Sequence, residues 1–298
     1  MSITFCILMS YNVTTKQSVV NDMAILLVPN EFPTIQQAFT AAKDGDCILI
    51  AGGVYPAGGI LKRNNITITT DLTPVTIGSS TTSMDTGITI KGDNNLLSHV
   101  KVTNFAVGIA IAGNKNQVDS CELLTNQDIG LTLAGCKNCI THTCFFSNVN
   151  AGITILNCVS NENSIDTCHF SRGLNGIIDH GNKTILSTSI FESNTQIGLT
   201  LASDNSIVEK SSFNGCGTGI LVAGNCNLLR NNIITLNTTG IKVLGDKNTF
   251  NCNIIFGNTS IGIAIVGNDQ VCDCNTLKNN TTNLITKDIP ECQIDYDF

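Results

Sequence analysis

The sequence predicts an all-β chain wound into a single parallel β-helix of about eleven coils, opened by a short N-terminal capping helix. Three observations predict it: a Gly followed by Ile or Leu that recurs every 21 to 24 residues, a short apolar alternation after each such Gly, and a turn signal in constant register. The lead glycines are Gly87, Gly108, Gly130, Gly152, Gly176, Gly198, Gly219, Gly240 and Gly262. The third residue after each is aliphatic (Ile90, Ile111, Leu133, Ile155, Leu201, Val222, Val243, Ile265), except at Asp179. Apolar residues at every second position describe a short strand with one buried face. Such a unit cannot bury its own apolar side, whereas stacked units pair strand on strand and close a continuous core.

Composition agrees and excludes several classes. Of 298 residues, 16 are Lys or Arg and 23 Asp or Glu, giving a net charge of −7 with only 13% charged residues and no Trp. A 42% hydrophobic share is too high for a disordered chain. Three arginines (Arg63, Arg172, Arg230) and a negative balance argue against a nucleic-acid surface. No apolar stretch approaches the roughly 18 residues of a membrane span. The run Ile3–Met9 lacks a basic flank and a small-residue cleavage site, so no secretory signal is read; the expected setting is cytoplasmic or a spore or particle surface.

Taken in order, residues 1–24 form an extension outside the coils, 25–285 the β-helix with its cap at 33–43, and 286–298 an acidic tail. In the cap, Ile35, Ala38, Phe39 and Ala42 share one helical face that would cover the first coil's open end. Asp44-Gly45-Asp46 ends it and Cys47–Ile50 reads as a strand. In seven coils a second Gly, usually followed by Asn or Asp as in Gly113-Asn114 or Gly245-Asp246, is expected to supply positive φ at a corner. A second strand follows, as in Leu228–Ile234 or Phe250–Phe256. An Asn then recurs four residues before the lead Gly (Asn104, Asn126, Asn148, Asn194, Asn258), placed to satisfy backbone groups at a turn. Phe146, Phe170, Phe213 and Phe256 recur in one register and read as core.

The run Val28-Pro29, Phe32-Pro33-Thr34-Ile35-Gln36, Ala41-Ala42, Gly45-Asp46, Ile48 and Gly53-Val54-Tyr55 resembles the opening of pectate-lyase-superfamily proteins. The coils are similar to the Asn- and Gly-rich repeats of that superfamily, including the copper-insertion accessory proteins of nitrous oxide reductase. The resemblance spans about residues 25–285 and implies a right-handed parallel β-helix. It also implies an enzyme groove along one sheet, with outward Asp, Lys and Arg, carboxylates for calcium and a basic proton acceptor in a lyase, or paired carboxylates in a hydrolase.

One sheet face can be tested directly. The residues two after each lead Gly are Thr89, Ala110, Thr132, Thr154, Ile178, Thr200, Leu221, Lys242 and Ala264, with no carboxylate among them. A second outward stack, ten before each lead Gly, sets His142 against Asp166 and Glu209 against Arg230, either acid–base pairs or cross-strand ion pairs. The repeat breaks at Asp179, after a coil two residues longer. A site of Asp166, His169, Arg172, Asp179 and His180 is one reading; the other is a bent coil that lets Asp179 reach solvent or cap a turn. Cys136 with Cys158, Cys252 with Cys274, and Cys144 with Cys168 fall in register as small core-filling side chains. Cys6 and Cys292 lie outside the coils and are candidates for intermolecular bridges.

The regular, weakly charged coils and absent Trp favour a non-catalytic, self-associating rod, a building block of a fibre or particle surface that pairs end to end or face to face with itself. The alternative is a polysaccharide lyase or glycoside hydrolase; a third reading is a module that binds glycan or metal without turnover. No cofactor and no resident metal are called for by the residues.

Overall fold

Residues 23–71, 73–78, 85–157, 162–286 and 292–295 are described by a computed structural model. The chain is a parallel β-solenoid. Strands pair with their counterparts one coil on, forming a 23-stranded and an 11-stranded sheet. One coil shows the plan: Val107–Ile111 lies in the smaller sheet, and Gln117–Asp119 and Glu122–Leu124 form two arms of the larger one before Ile129–Leu133 opens the next coil. The expected strand Leu228–Ile234 is thus two arms, Leu228–Arg230 and Ile233–Thr235, with a corner between them.

The cap forms as its apolar spacing requires. Helix α1 (Ile35–Ala41) begins at Thr34, whose side chain accepts from the Gln37 N–H while Gln37 Oε1 accepts from the Thr34 N–H. These bonds satisfy two of the donors that every helix start leaves open. Ile35, Ala38, Phe39 and Ala42 are all buried against the first coil.

From Asn94 on, each coil turns three times by one device. A residue in the left-handed region (Lys115, φ 55°; Ser120, φ 53°; Thr125, φ 52°) precedes an inward residue, here Asn116, Cys121 and Asn126. The positive φ therefore falls mostly on non-glycine residues, with Gly215 and Gly257 (both φ 65°) the exceptions among the third corners from Asn94 on. Gly113 serves close packing instead, since a Cβ there would lie 1.9 Å from the Gly92 carbonyl oxygen. Most inward residues are polar and form three ladders, in which an Asn, Gln, Ser or Thr side chain accepts from the backbone N–H one coil earlier, with breaks at residues such as Phe105, Cys121 and Gly173. Asn116 Oδ1 takes the Asn95 N–H at 2.8 Å, Asn232 Oδ1 the Ser211 N–H at 3.0 Å, and Asn126 Oδ1 the Phe105 N–H at 3.2 Å. A single ladder was expected and three occur, because every corner removes a backbone donor from the sheet and each must be paired.

Between the ladders the core is aliphatic, with one aromatic column. Phe145, Phe170, Phe191 and Phe213 stack at centroid distances of 4.8, 4.7 and 4.4 Å, close to the strand spacing. Phe146 and Phe256, expected in this column, face outward; Phe256 is 39% exposed and Phe146 lies under the Arg172 guanidinium.

The cysteines do not form the expected core ladders. Cys144 pairs in register with His169, so Cys168 falls one residue off and sits inward with Cys121, both thiols pushed up to about 12 by burial. Cys252 and Cys274 are exposed at one corner, and Cys158 lies outside the described residues. Cys6 also lies outside them. Cys292 opens the strand Cys292–Asp295, opposite Cys272, which is disulfide-bonded.

Candidate functional site

The three corners give each coil three outward faces of different chemistry. The smaller sheet shows Thr, Ala and aliphatic side chains. On the larger sheet, the register Ser98, Asp119, Thr141, Asp166, Ser187, Glu209, Arg230 makes a polar column with a carboxylate at every second coil up to Glu209. Coil stacking places Asp119 and Asp166 about 9.6 Å apart, two strand spacings. Asp119 was missing from the expected stack. The corner before the smaller sheet varies by one residue: Asn126 precedes Gly130 by four, Gly173 precedes Gly176 by three. Counting from the lead glycine therefore slips by one in some coils, whereas counting back seven from the third-corner residue gives Asp119, Thr141 and Asp166 alike.

His142 occupies the second corner, φ 48°, where the left-handed backbone turns its ring over the neighbouring coil. Its Nδ1 lies 3.0 Å from Asp119 Oδ1, not against the Asp166 side chain as expected; toward Asp166 it donates only its backbone N–H, at 3.3 Å. Its side chain is 60% exposed, so the far nitrogen, Nε2, is open to solvent or a ligand. Partial burial pushes the Asp119 carboxyl up, but donors from Thr141 (2.6 Å), His142 and Ser120 outweigh it and hold it below the usual range. Asp166 is also held low, first by the Ser187 hydroxyl at 2.6 Å and then, against some desolvation, by Thr167. Both carboxylates are therefore ionised at neutral pH.

The five residues singled out by the broken repeat do not converge. Asp166 belongs to the column above, and His169 stands beyond the second corner, its Nε2 3.5 Å from Glu192 Oε2, longer than a hydrogen bond. Arg172 turns the third corner and places its guanidinium 5.1 Å above the Phe146 ring centroid. Asp179 points inward at 1% exposure, accepting from the Gly181 N–H and the Ser203 hydroxyl, both at 2.8 Å, with its carboxyl raised by burial. It neither reaches solvent nor joins the outward groups. His180 is exposed on the far side of that strand's end. Glu209 and Arg230 pair as expected, at 2.6 Å.

On the other side of the same arm, the first corner carries Lys115, Lys137 and Lys183, with Glu162 between the last two at 3.5 and 3.9 Å. Such exposed pairs are weak and leave the ammonium groups available. Lys115 and Lys137 line a cleft of about 600 Å³ with Asn65, Asp93, Asn94, Asn114 and Cys136. The middle arm is thus an outward strip with lysines along one edge and Asp119, His142 and Asp166 along the other. The calcium implied by the resemblance finds no donor set: among the described residues no three His, Cys, Asp or Glu side chains stand together to hold a metal ion.

No protein-family model and no curated protein sequence matches the chain. Solved structures do. The alginate lyase of Paenibacillus sp. str. FPU-7 superposes with a TM-score of 0.63 at 20% identity, covering 88% of this chain and 97% of its own. The chain is a pectate-lyase-like right-handed β-helix. To this β-helix the A-module of Azotobacter vinelandii mannuronan C-5 epimerase AlgE4 is similar at TM-score 0.62, with 11% identity over 82% of this chain and 89% of the module. Pectate lyase Pel9A is similar at TM-score 0.52, with 13% identity over 96% and 81%.

The expectation of a non-catalytic rod is overturned by these neighbours, which are mostly polysaccharide lyases and epimerases and favour the alternative reading over it. The physical reason is local. The carboxylate-free face that suggested a rod belongs to the smaller sheet, whereas Asp119, Asp166 and Glu209 lie on the larger one.

Proposed function

We propose that the β-helix is a polysaccharide lyase acting on a uronate-containing glycan, with His142 as the proton acceptor. The observation that carries this is the Asp119–His142 pair at 3.0 Å on an exposed strip edged by lysines. Asp119 fixes the ring through Nδ1–H and stabilises the imidazolium that forms, while Nε2 faces outward to accept a proton. Elimination needs that proton from the carbon beside a uronate carboxylate. The C–H pair becomes the new C=C bond, the glycosidic C–O bond breaks, the leaving oxygen gains a proton from water, and His142 Nε2 returns its own proton to solvent. Lys115 and Lys137 neutralise uronate carboxylates along the strip, and a glycan running along the solenoid axis meets one coil of side chains at each step. A lyase is favoured over a hydrolase because Asp119 and Asp166 are both held ionised, whereas hydrolysis by two carboxyl groups requires one to keep its proton.

The test is release of unsaturated ends from alginate and polygalacturonate, read by ultraviolet absorbance. His142→Gln should lower kcat/KM by about 10²–10⁴, the usual worth of a general base. Absence of unsaturated product from both polymers, or full activity in His142→Gln, overturns the assignment.

A further inference from the structure

The smaller sheet's outer face has no role in that chemistry, and its composition is peculiar. Along its eleven strands the two outward columns hold Thr, Ala, Asn and aliphatic residues such as Val107, Ile129, Ile178, Ile197 and Leu221, with Lys242 the sole charge among them. One margin adds Leu156, Leu244 and Val266, exposed by 42, 44 and 54%, with exposed Lys91 and His180 in the same register. Eleven strands at about 4.8 Å, each five residues of about 3.3 Å, make a flat surface of roughly 50 by 16 Å, or about 800 Å². That is the area each partner contributes to a standard stable interface.

We propose that this face is covered by the same face of a second copy, giving a two-fold dimer of antiparallel rods. A partner must be flat over this length and nearly uncharged, and this face meets both conditions for itself. Back-to-back pairing also leaves the Asp119–His142 strip of each copy on the outside. The strand Asn175–Asp179 is sixth of the eleven, so the two-fold axis passes near it and Ile178 meets its own copy. Lys242 lies three strands toward one end, where its long stem carries the charge to the rim.

The test is sedimentation of the full chain across a concentration series, with circular dichroism as a check on folding. The natural sequence should sediment at twice the chain mass. Ile178→Glu, which brings two carboxylates together at the axis, should weaken dimerisation at least tenfold while the β spectrum is kept. Ile254→Glu, an exposed position on the larger sheet, should leave the dimer intact. A monomer at every concentration, or a dimer that survives Ile178→Glu, overturns the proposal. If Ile178→Glu does not fold, Thr200→Glu in the next strand of the same column replaces it and is read the same way.

Discussion

Asp179 stands where neighbouring coils place Ile155 and Leu201, and the core adapts to it with hydroxyls rather than with a counter-charge. Ser203 donates to the carboxylate and contacts Ser206 at 3.0 Å, whose own oxygen caps the Thr184 N–H. Burial still dominates and raises the carboxyl above its ordinary value near 3.9. The folded chain therefore holds this proton more tightly than the unfolded one. The stabilisation is fully present below the unfolded value and is lost as pH rises through the raised native one. Asp179→Asn keeps an acceptor for Gly181 and Ser203 without the charge. It should flatten this dependence and add on the order of 1 kcal/mol at neutral pH, read from urea midpoints across a pH series. Parallel midpoint curves for the two proteins would refute this. Nothing in a linear pattern distinguishes a buried Asp from one at a bend, because the hydroxyls that receive it come from the following coil.

At the scale of elements, the phenylalanine column shows how one strand position repeats through four coils and then changes. Leu123 precedes Phe145 and Ile234 follows Phe213 in the same register. The position accepts aliphatic residues where the column ends, so Phe191→Leu should be mild. Phe191→Ala opens a cavity between two stacked rings and should cost about 3–5 kcal/mol in denaturant unfolding. Equal costs for the two substitutions would show that stacking matters more than volume. The strands themselves were legible because lead glycine, aliphatic alternation and coil length repeat together. The corners were less so, since Lys115, His142 and Arg172 adopt positive φ without being glycine, and a lysine in a sequence carries no sign of it. The candidate site suffered most: Asp119 and His142 lie 23 residues apart and meet only if the register is counted from the right corner.

For the whole molecule, the first coil decides whether the solenoid stays finite. Gln36 of α1 accepts from the Ile60 N–H at 2.8 Å and donates to its carbonyl at 3.5 Å, imitating a further strand at the edge of Gly59–Leu61. An edge strand left open invites pairing with another chain. Gln36→Ala should therefore raise concentration-dependent light scattering while the β-helix stays folded; unchanged scattering would show that the helix body alone is enough. The variable third corner acts on the opposite problem, that of length. It takes two or three residues between the inward residue and the next lead glycine while every column on either side stays aligned. It is an expansion joint: inserted segments placed there would be absorbed locally, so new side chains could be carried one arm away from the Asp119–His142 strip without displacing the coils that hold it.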